Sequence, residues 1–177
     1  MGLIICLMSN LKTPSISDRF ESLLSQLLTA SIHCYSDRLI SLAMFGSVGR
    51  GTPRPDSDMD VFLVAECLPD GRVRRVAEFH RVEASMKSAL AEARTAGLTT
   101  ELSPVIKTPS EVLHGSPLLL DMTEDCRLLY DRNGFLRSAL EQFKGRLNRL
   151  GARRIWRGDA WFWDLNPGYK PGDVFDL

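Results

Sequence analysis

The sequence predicts an α/β domain of the α+β type, with a small mixed sheet flanked by helices. Three observations predict it. Two short apolar runs, Leu39 to Phe45 and Met59 to Ala65, have the length of buried strands and are separated by a Gly- and Pro-rich segment. Longer amphipathic runs surround them, over about residues 17–32, 70–96 and 135–150. The resulting order is helix, strand, loop, strand, helix, strand, helices, which suits one sheet covered by helices.

In chain order, Phe20, Leu23, Leu24, Leu27 and Leu28 recur at helical spacing, and Ser17 is placed to cap that helix. Leu39 to Phe45 is the first strand. Residues 46–57 read as a loop too short for a helical crossover, so the strand at Met59 to Ala65 is expected to pair antiparallel with the first. Asp70 to about Ala96 reads as a long helix with Val73, Val76, Ala77, Val82, Met86 and Leu90 among many charges, stopped by Gly97. Thr99 to Ile106 is a third strand. Thr108-Pro-Ser-Glu111 has the capping-box pattern of a short helix, with Pro109 at its first position. Arg127 to Tyr130 is a short fourth strand. Phe135 to about Leu150 places Phe135, Leu136, Ala139, Leu140, Phe143 and Leu147 on one helix face. The aromatic tail is rich in Pro and Gly. The expected organisation is an extension over residues 1–14, a core over 15–132, and a C-terminal helix and tail, 133–177, packed on that core.

Charge and cysteine usage exclude several function classes. Lys+Arg and Asp+Glu both number 22, so no global basic field draws the chain to nucleic acid, and non-specific DNA binding is not expected. Cys6, Cys34, Cys67 and Cys126 form no CxxC pair, and His33, His80 and His114 are scattered among them, which argues against structural zinc. Reduced thiols in a cytoplasmic protein are the simple expectation. The opening MGLIICLM is apolar but lacks a basic n-region and is too short to span a bilayer. Met8 is an alternative start, and no membrane association is expected.

The chemistry concentrates in FGSVGRGTPRPDSDMDVFLV, residues 45–64. Three phosphate or metal motifs fail there. A P-loop needs Lys where Thr52 stands. A dinucleotide fingerprint needs a third glycine where Arg54 stands. A calcium loop starting at Asp56 needs Gly and Glu where Val61 and Cys67 stand. What remains is a Gly46-Ser47 turn, ten residues, then Asp58-Met59-Asp60 running into a strand. Residues two apart on a strand share a side, so the two carboxylates lie roughly 6–7 Å apart along one face. Like charges so placed are unfavourable alone and favourable around Mg²⁺, a hard cation commonly held by carboxylates and substrate phosphates. Two such ions clamp the attacking and leaving oxygens of an in-line displacement at phosphorus. Gly46 lets a phosphate approach the backbone, and Ser47 adds a donor. Arg50 and Arg54 read equally as phosphate contacts or as solvated loop charges.

That spacing matches the signature of the DNA-polymerase-β-like nucleotidyltransferase superfamily. The whole chain resembles its minimal bacterial and archaeal members. GRGTPRPDSDMDVFLV carries the resemblance, and ELSPVIKTPSEVL, PLLLDMTEDCRLLYDRNGFL and WDLNPGYKPGDVFDL spread it over most of residues 17–177. The resemblance implies that Gly46 and Ser47 hold nucleotide phosphates and that Asp58 and Asp60 hold Mg²⁺. It also implies a third carboxylate on a later strand, which completes the metal site and helps deprotonate the acceptor. Glu101 is the best match, and Asp121, in an apolar helical stretch, is a second candidate. The implied reaction moves NMP, foremost AMP, from ATP or another NTP to an acceptor hydroxyl with two Mg²⁺ ions. The acceptor it suggests is a partner HEPN-domain toxin. Transfer to a small molecule such as an aminoglycoside, or a catalytically silent partner-binding module, are the alternatives.

Overall fold

The structure is a computed structural model that describes residues 14–158, 160–168 and 170. The expectations for residues 1–13 and 171–177 lie outside the described residues. Helix α1 spans Ile16–Tyr35, and its N-cap is Ser15 rather than Ser17. The Ser15 hydroxyl accepts from the Asp18 backbone N–H while the Asp18 carboxylate returns to the Ser15 N–H at 2.9 Å. This reciprocal arrangement needs an acid three residues after the cap, which Ser15 has and Ser17 lacks.

Strands β1 (Leu39–Phe45), β2 (Met59–Ala65), β3 (Leu102–Lys107) and β4 (Arg127–Asp131) form one mixed sheet in the order β3-β2-β1-β4. β1 lies antiparallel to both β2 and β4, and β2 runs parallel to β3. The short link between β1 and β2 thus makes the antiparallel pair the sequence predicts. The segment after β1 is not all loop, because Gly46–Gly49 winds into a helical turn, α2. Helix α3 (Arg72–Thr95) is the crossover that allows β2 and β3 to be parallel. Pro109–His114 forms α4 with the expected capping box at Thr108 and Glu111. It is followed by α5 (Leu118–Met122) and α6 (Phe135–Leu150).

The sheet is covered on both faces, which is why β1 and β2 read as continuous apolar runs. On one face Leu42, Met44, Met59, Val61 and Leu63 pack with Phe20, Leu24 and Leu27 of α1 and Phe79, Val82 and Met86 of α3. On the other, Ala43, Phe62 and Val64 pack with Leu119 and Met122 of α5 and Leu136, Phe143 and Leu147 of α6. Asp60 alternates with Met59 and Val61, so it belongs to the second face, at the end of the sheet where β2 starts.

The Pro- and Gly-rich aromatic tail contains regular structure. Arg153–Arg157 (β5) and Ala160–Asp164 (β6) pair antiparallel as a separate two-stranded hairpin, with Gly158 at φ 62° in the turn. Alternation of bulky side chains around a glycine is the local reason.

Asp131 joins three elements. It ends β4, accepts from the Ser41 hydroxyl of β1 at 2.7 Å, and accepts from the backbone N–H groups of Leu136 and Arg137 at 2.8 and 3.1 Å. It therefore caps α6 from outside, where Gly134 offers no side chain. Replacing it strands the buried Ser41 hydroxyl as well as the cap. Asp131→Ala is expected to cost about 2–3 kcal/mol in chemical denaturation, whereas Asp56→Ala, in the exposed loop, stays near zero.

Candidate active site

The site forms where β1 ends and β2 begins. The antiparallel register sets Phe45 opposite Asp60, so the residue after Phe45 meets the Asp60 side chain. That residue is Gly46, at φ 64°. A Cβ on Gly46 would lie 2.1 Å from Asp60 Oδ2, inside any permitted contact. Only glycine lets the carboxylate close onto the turn, and only glycine takes this φ without strain. Gly49 is equally constrained, since a Cβ there would lie 2.7 Å from the Met44 carbonyl oxygen and 3.0 Å from that of Asp125. The turn α2 is thereby seated on the end of β1, with Ser47 half-buried in it.

Asp58 is exposed and Asp60 half-buried. Burial holds the Asp60 carboxyl above its ordinary range, the Asp58 charge adds to that, and Arg50 opposes it. Glu101 sits one residue before β3, beside Asp58. Its backbone N–H donates to Asp58 Oδ1 at 3.3 Å and its carbonyl accepts from the Met59 N–H at 2.8 Å. The Glu101 side chain is exposed. Among the described residues no three His, Cys, Asp or Glu side chains gather into a group that could hold a metal. The structure thus brings Asp58, Asp60, Gly46 and Ser47 to one place, with the Glu101 backbone adjoining. The donor set, the carboxylate oxygens of Asp58 and Asp60, fits a hard divalent cation.

Asp121 is engaged elsewhere. Its Oδ1 accepts from the indole N–H groups of Trp161 and Trp163 at 2.8 and 3.0 Å, which gives a carboxylate in an apolar helix a structural occupation. Arg54 makes only a 3.7 Å pair with Asp56 on the open loop, both side chains more than three-quarters exposed, so it is a solvated charge here. Arg50 lies 3.8 Å from Asp125 and stacks 5.2 Å over Trp161. Gly49, Asp125 and Trp161 are the participants that sequence reasoning did not single out for the site. Their roles depend on contacts between segments far apart in the chain. The GSVG spacing was the one local signal for Gly49.

Residues 30–107 match the family model of the nucleotidyltransferase domain. The chain carries a nucleotidyltransferase domain. The matched segment runs from the end of α1 through β3 and holds Gly46, Ser47, Arg50, Arg54, Asp58, Asp60 and Glu101, while α4 to β6 lie beyond it. A Methanocaldococcus jannaschii protein, named as a candidate protein adenylyltransferase, is 29% identical over 132 residues, 73% of this chain and 84% of that protein. Among solved structures, a toxin–antitoxin crystal structure with AMP-PNP matches at 12% identity and a TM-score of 0.46, over 72% of this chain and 92% of that one. The tri-AMPylated Shewanella oneidensis HEPN toxin in complex with MNT antitoxin matches at 10% identity and a TM-score of 0.36, over 74% and 92%. Among the described residues, no helix is long and apolar enough to cross a membrane.

Within the nucleotidyltransferase domain, the contact between Gly46 and Asp60 yields a sharp expectation. Gly46→Ala must displace the Asp60 carboxylate, since the nearest atoms a new Cβ would meet all belong to the Asp60 side chain. The variant is expected to fold and to bind Mn²⁺ about ten- to hundredfold more weakly by electron paramagnetic resonance. Unchanged Mn²⁺ affinity would mean that the close approach does not position the carboxylate.

Proposed function

We propose that this nucleotidyltransferase transfers a nucleoside monophosphate, AMP foremost, from an NTP to a hydroxyl of a partner protein. The observation that carries the reading is the Asp60 carboxylate closed onto the Gly46 turn, with the Asp58 charge near enough to act on it. That contact supports an acidic pair working beside a turn able to receive phosphate. The choice of a protein acceptor and of AMP draws on the relative named as a candidate protein adenylyltransferase, of which the chain covers most of the length. A HEPN-type toxin is the specific partner that the motif resemblance suggests.

Asp58 and Asp60 would hold two Mg²⁺ ions, which supply charge neutralisation for the triphosphate and lower the pKa of the attacking hydroxyl. Gly46 leaves its backbone open for the β- and γ-phosphates, and the Ser47 hydroxyl donates to them. The acceptor oxygen attacks the α-phosphorus. The bond from that phosphorus to the β-bridging oxygen breaks, and pyrophosphate leaves. Glu101 takes the acceptor proton from its position beside Asp58. The Glu101 N–H bond to Asp58 Oδ1 holds that carboxylate in its orientation. Arg50, kept in place by Asp125 and Trp161, faces the developing negative charge. Catalysis is then mostly positioning and charge stabilisation, as in other phosphoryl-type transfers.

Labelled ATP and Mg²⁺ with a candidate HEPN partner test the proposal. Label is expected on the partner's hydroxyl, and Asp58→Asn or Asp60→Asn should lower the rate at least about a thousandfold with the fold retained. Glu101→Gln should lower it by roughly a hundredfold or more. Full activity in either aspartate variant would contradict the proposal. Label on a small molecule instead would move the acceptor away from protein.

A further inference from the structure

Outside the residues used above, the β5–β6 hairpin is the part of the surface built like a ligand site. Trp156 is 54% exposed and Phe162 43%, on a short hairpin that is fastened to the domain by the neighbouring tryptophans. Large aromatic surface left in water beside a functional site marks a place where something packs. The rings are also ordered. Arg50, in the turn beside Asp60, stacks 5.2 Å over Trp161, and the Trp161 ring lies 5.0 Å from Trp156 at 52°. Arg154 stacks over both, at 5.1 and 5.3 Å. A path of ring and guanidinium contacts therefore runs from the phosphate turn to the exposed Trp156 in two steps.

Carboxylates meet the arginines along this path, with Arg50 and Arg154 sharing that of Asp125. Arg154 bonds Asp125 at 2.5 Å, and Arg153 lies 3.5 Å from Asp164. The hairpin offers ring faces more than a free positive field, so it suits a flat, neutral heteroaromatic group better than a phosphate backbone. Beside Trp156 opens a cavity of about 320 Å³, lined by Thr123, Asn148, the Glu124–Lys144 pair and the paired Arg153 and Arg154, with donors and acceptors that can meet the edge of a base.

Resting on the nucleotide-transfer reading above, we propose that the hairpin is the nucleobase platform. Trp156 stacks on the purine of the bound NTP while the polar cavity residues face its edge. The hairpin lies beyond the matched nucleotidyltransferase segment, so base recognition comes from an element added to the domain.

Calorimetry on the full chain with Mg²⁺·ATP and, separately, Mg²⁺·tripolyphosphate tests this. Trp156→Ala is expected to weaken ATP binding about ten- to hundredfold and to leave tripolyphosphate binding unchanged, since only ATP carries a base. Trp156→Phe should keep most of the ATP affinity. Trp156→Leu, which preserves apolar bulk, should behave like the alanine variant. Unchanged ATP affinity in both non-aromatic variants overturns the platform while leaving the transfer site standing, as does equal weakening for the two ligands. A wild-type protein that binds neither ligand overturns the transfer reading, and the platform with it.

Discussion

The site turns on the placement of one carboxylate. Asp60 is half-buried, pressed onto Gly46 and close to Asp58 in chain and space. Burying a carboxylate beside another is costly unless a cation offsets it. Arg50 supplies part of that offset, but it is also committed to Asp125 and Trp161. The surroundings follow from keeping Asp60 where it is. Gly46 must lack a side chain, Gly49 must sit against the Met44 carbonyl, and β1 must pair with β2 in the register that sets Phe45 opposite Asp60. The two-sided core makes that register hard to change, because a slip by one residue would carry Met59, Val61 and Leu63 out of one layer and Phe62 and Val64 out of the other.

The C-terminal part of the chain closes around the same end of the sheet. Asp121 receives two indole N–H groups, and Asp125 receives Arg154 while lying near Arg50. Asp125 also brings its carbonyl against Gly49. The hairpin, the loop before β4 and the Gly46–Gly49 turn thus share contacts. A nucleotidyltransferase domain of 78 matched positions, residues 30–107, gains walls from residues outside that span. Substitutions in the hairpin therefore reach the turn without touching Asp58 or Asp60.

What could be read from the chain was what local pattern encodes. The antiparallel β1–β2 pair and the Thr108–Glu111 capping box both depend on neighbours within a few residues or on a short connection. The residues that escaped depend on distant partners. Asp121 is a candidate third carboxylate through the resemblance alone, and the indole partners that occupy it lie 40 and 42 residues onward. The tail's two five-residue strands pair only with each other, too short a pattern to stand out among its glycines and prolines. The predicted cap at Ser17 gives way to Ser15, whose reciprocal bond with Asp18 decides the boundary.

The central physical claim is that the Asp58–Asp60 pair destabilises the free protein and is relieved by a divalent cation with nucleotide. Thermal unfolding of the wild type and Asp60→Asn, each with and without Mg²⁺·ATP, tests it most directly. The account predicts that the asparagine variant melts higher than the wild type without ligand, and that the ligand at about a hundred times its Kd raises the wild type by roughly 5–10 °C and the variant hardly at all. A variant that melts no higher than the wild type, together with a wild type that ignores Mg²⁺·ATP, would contradict it.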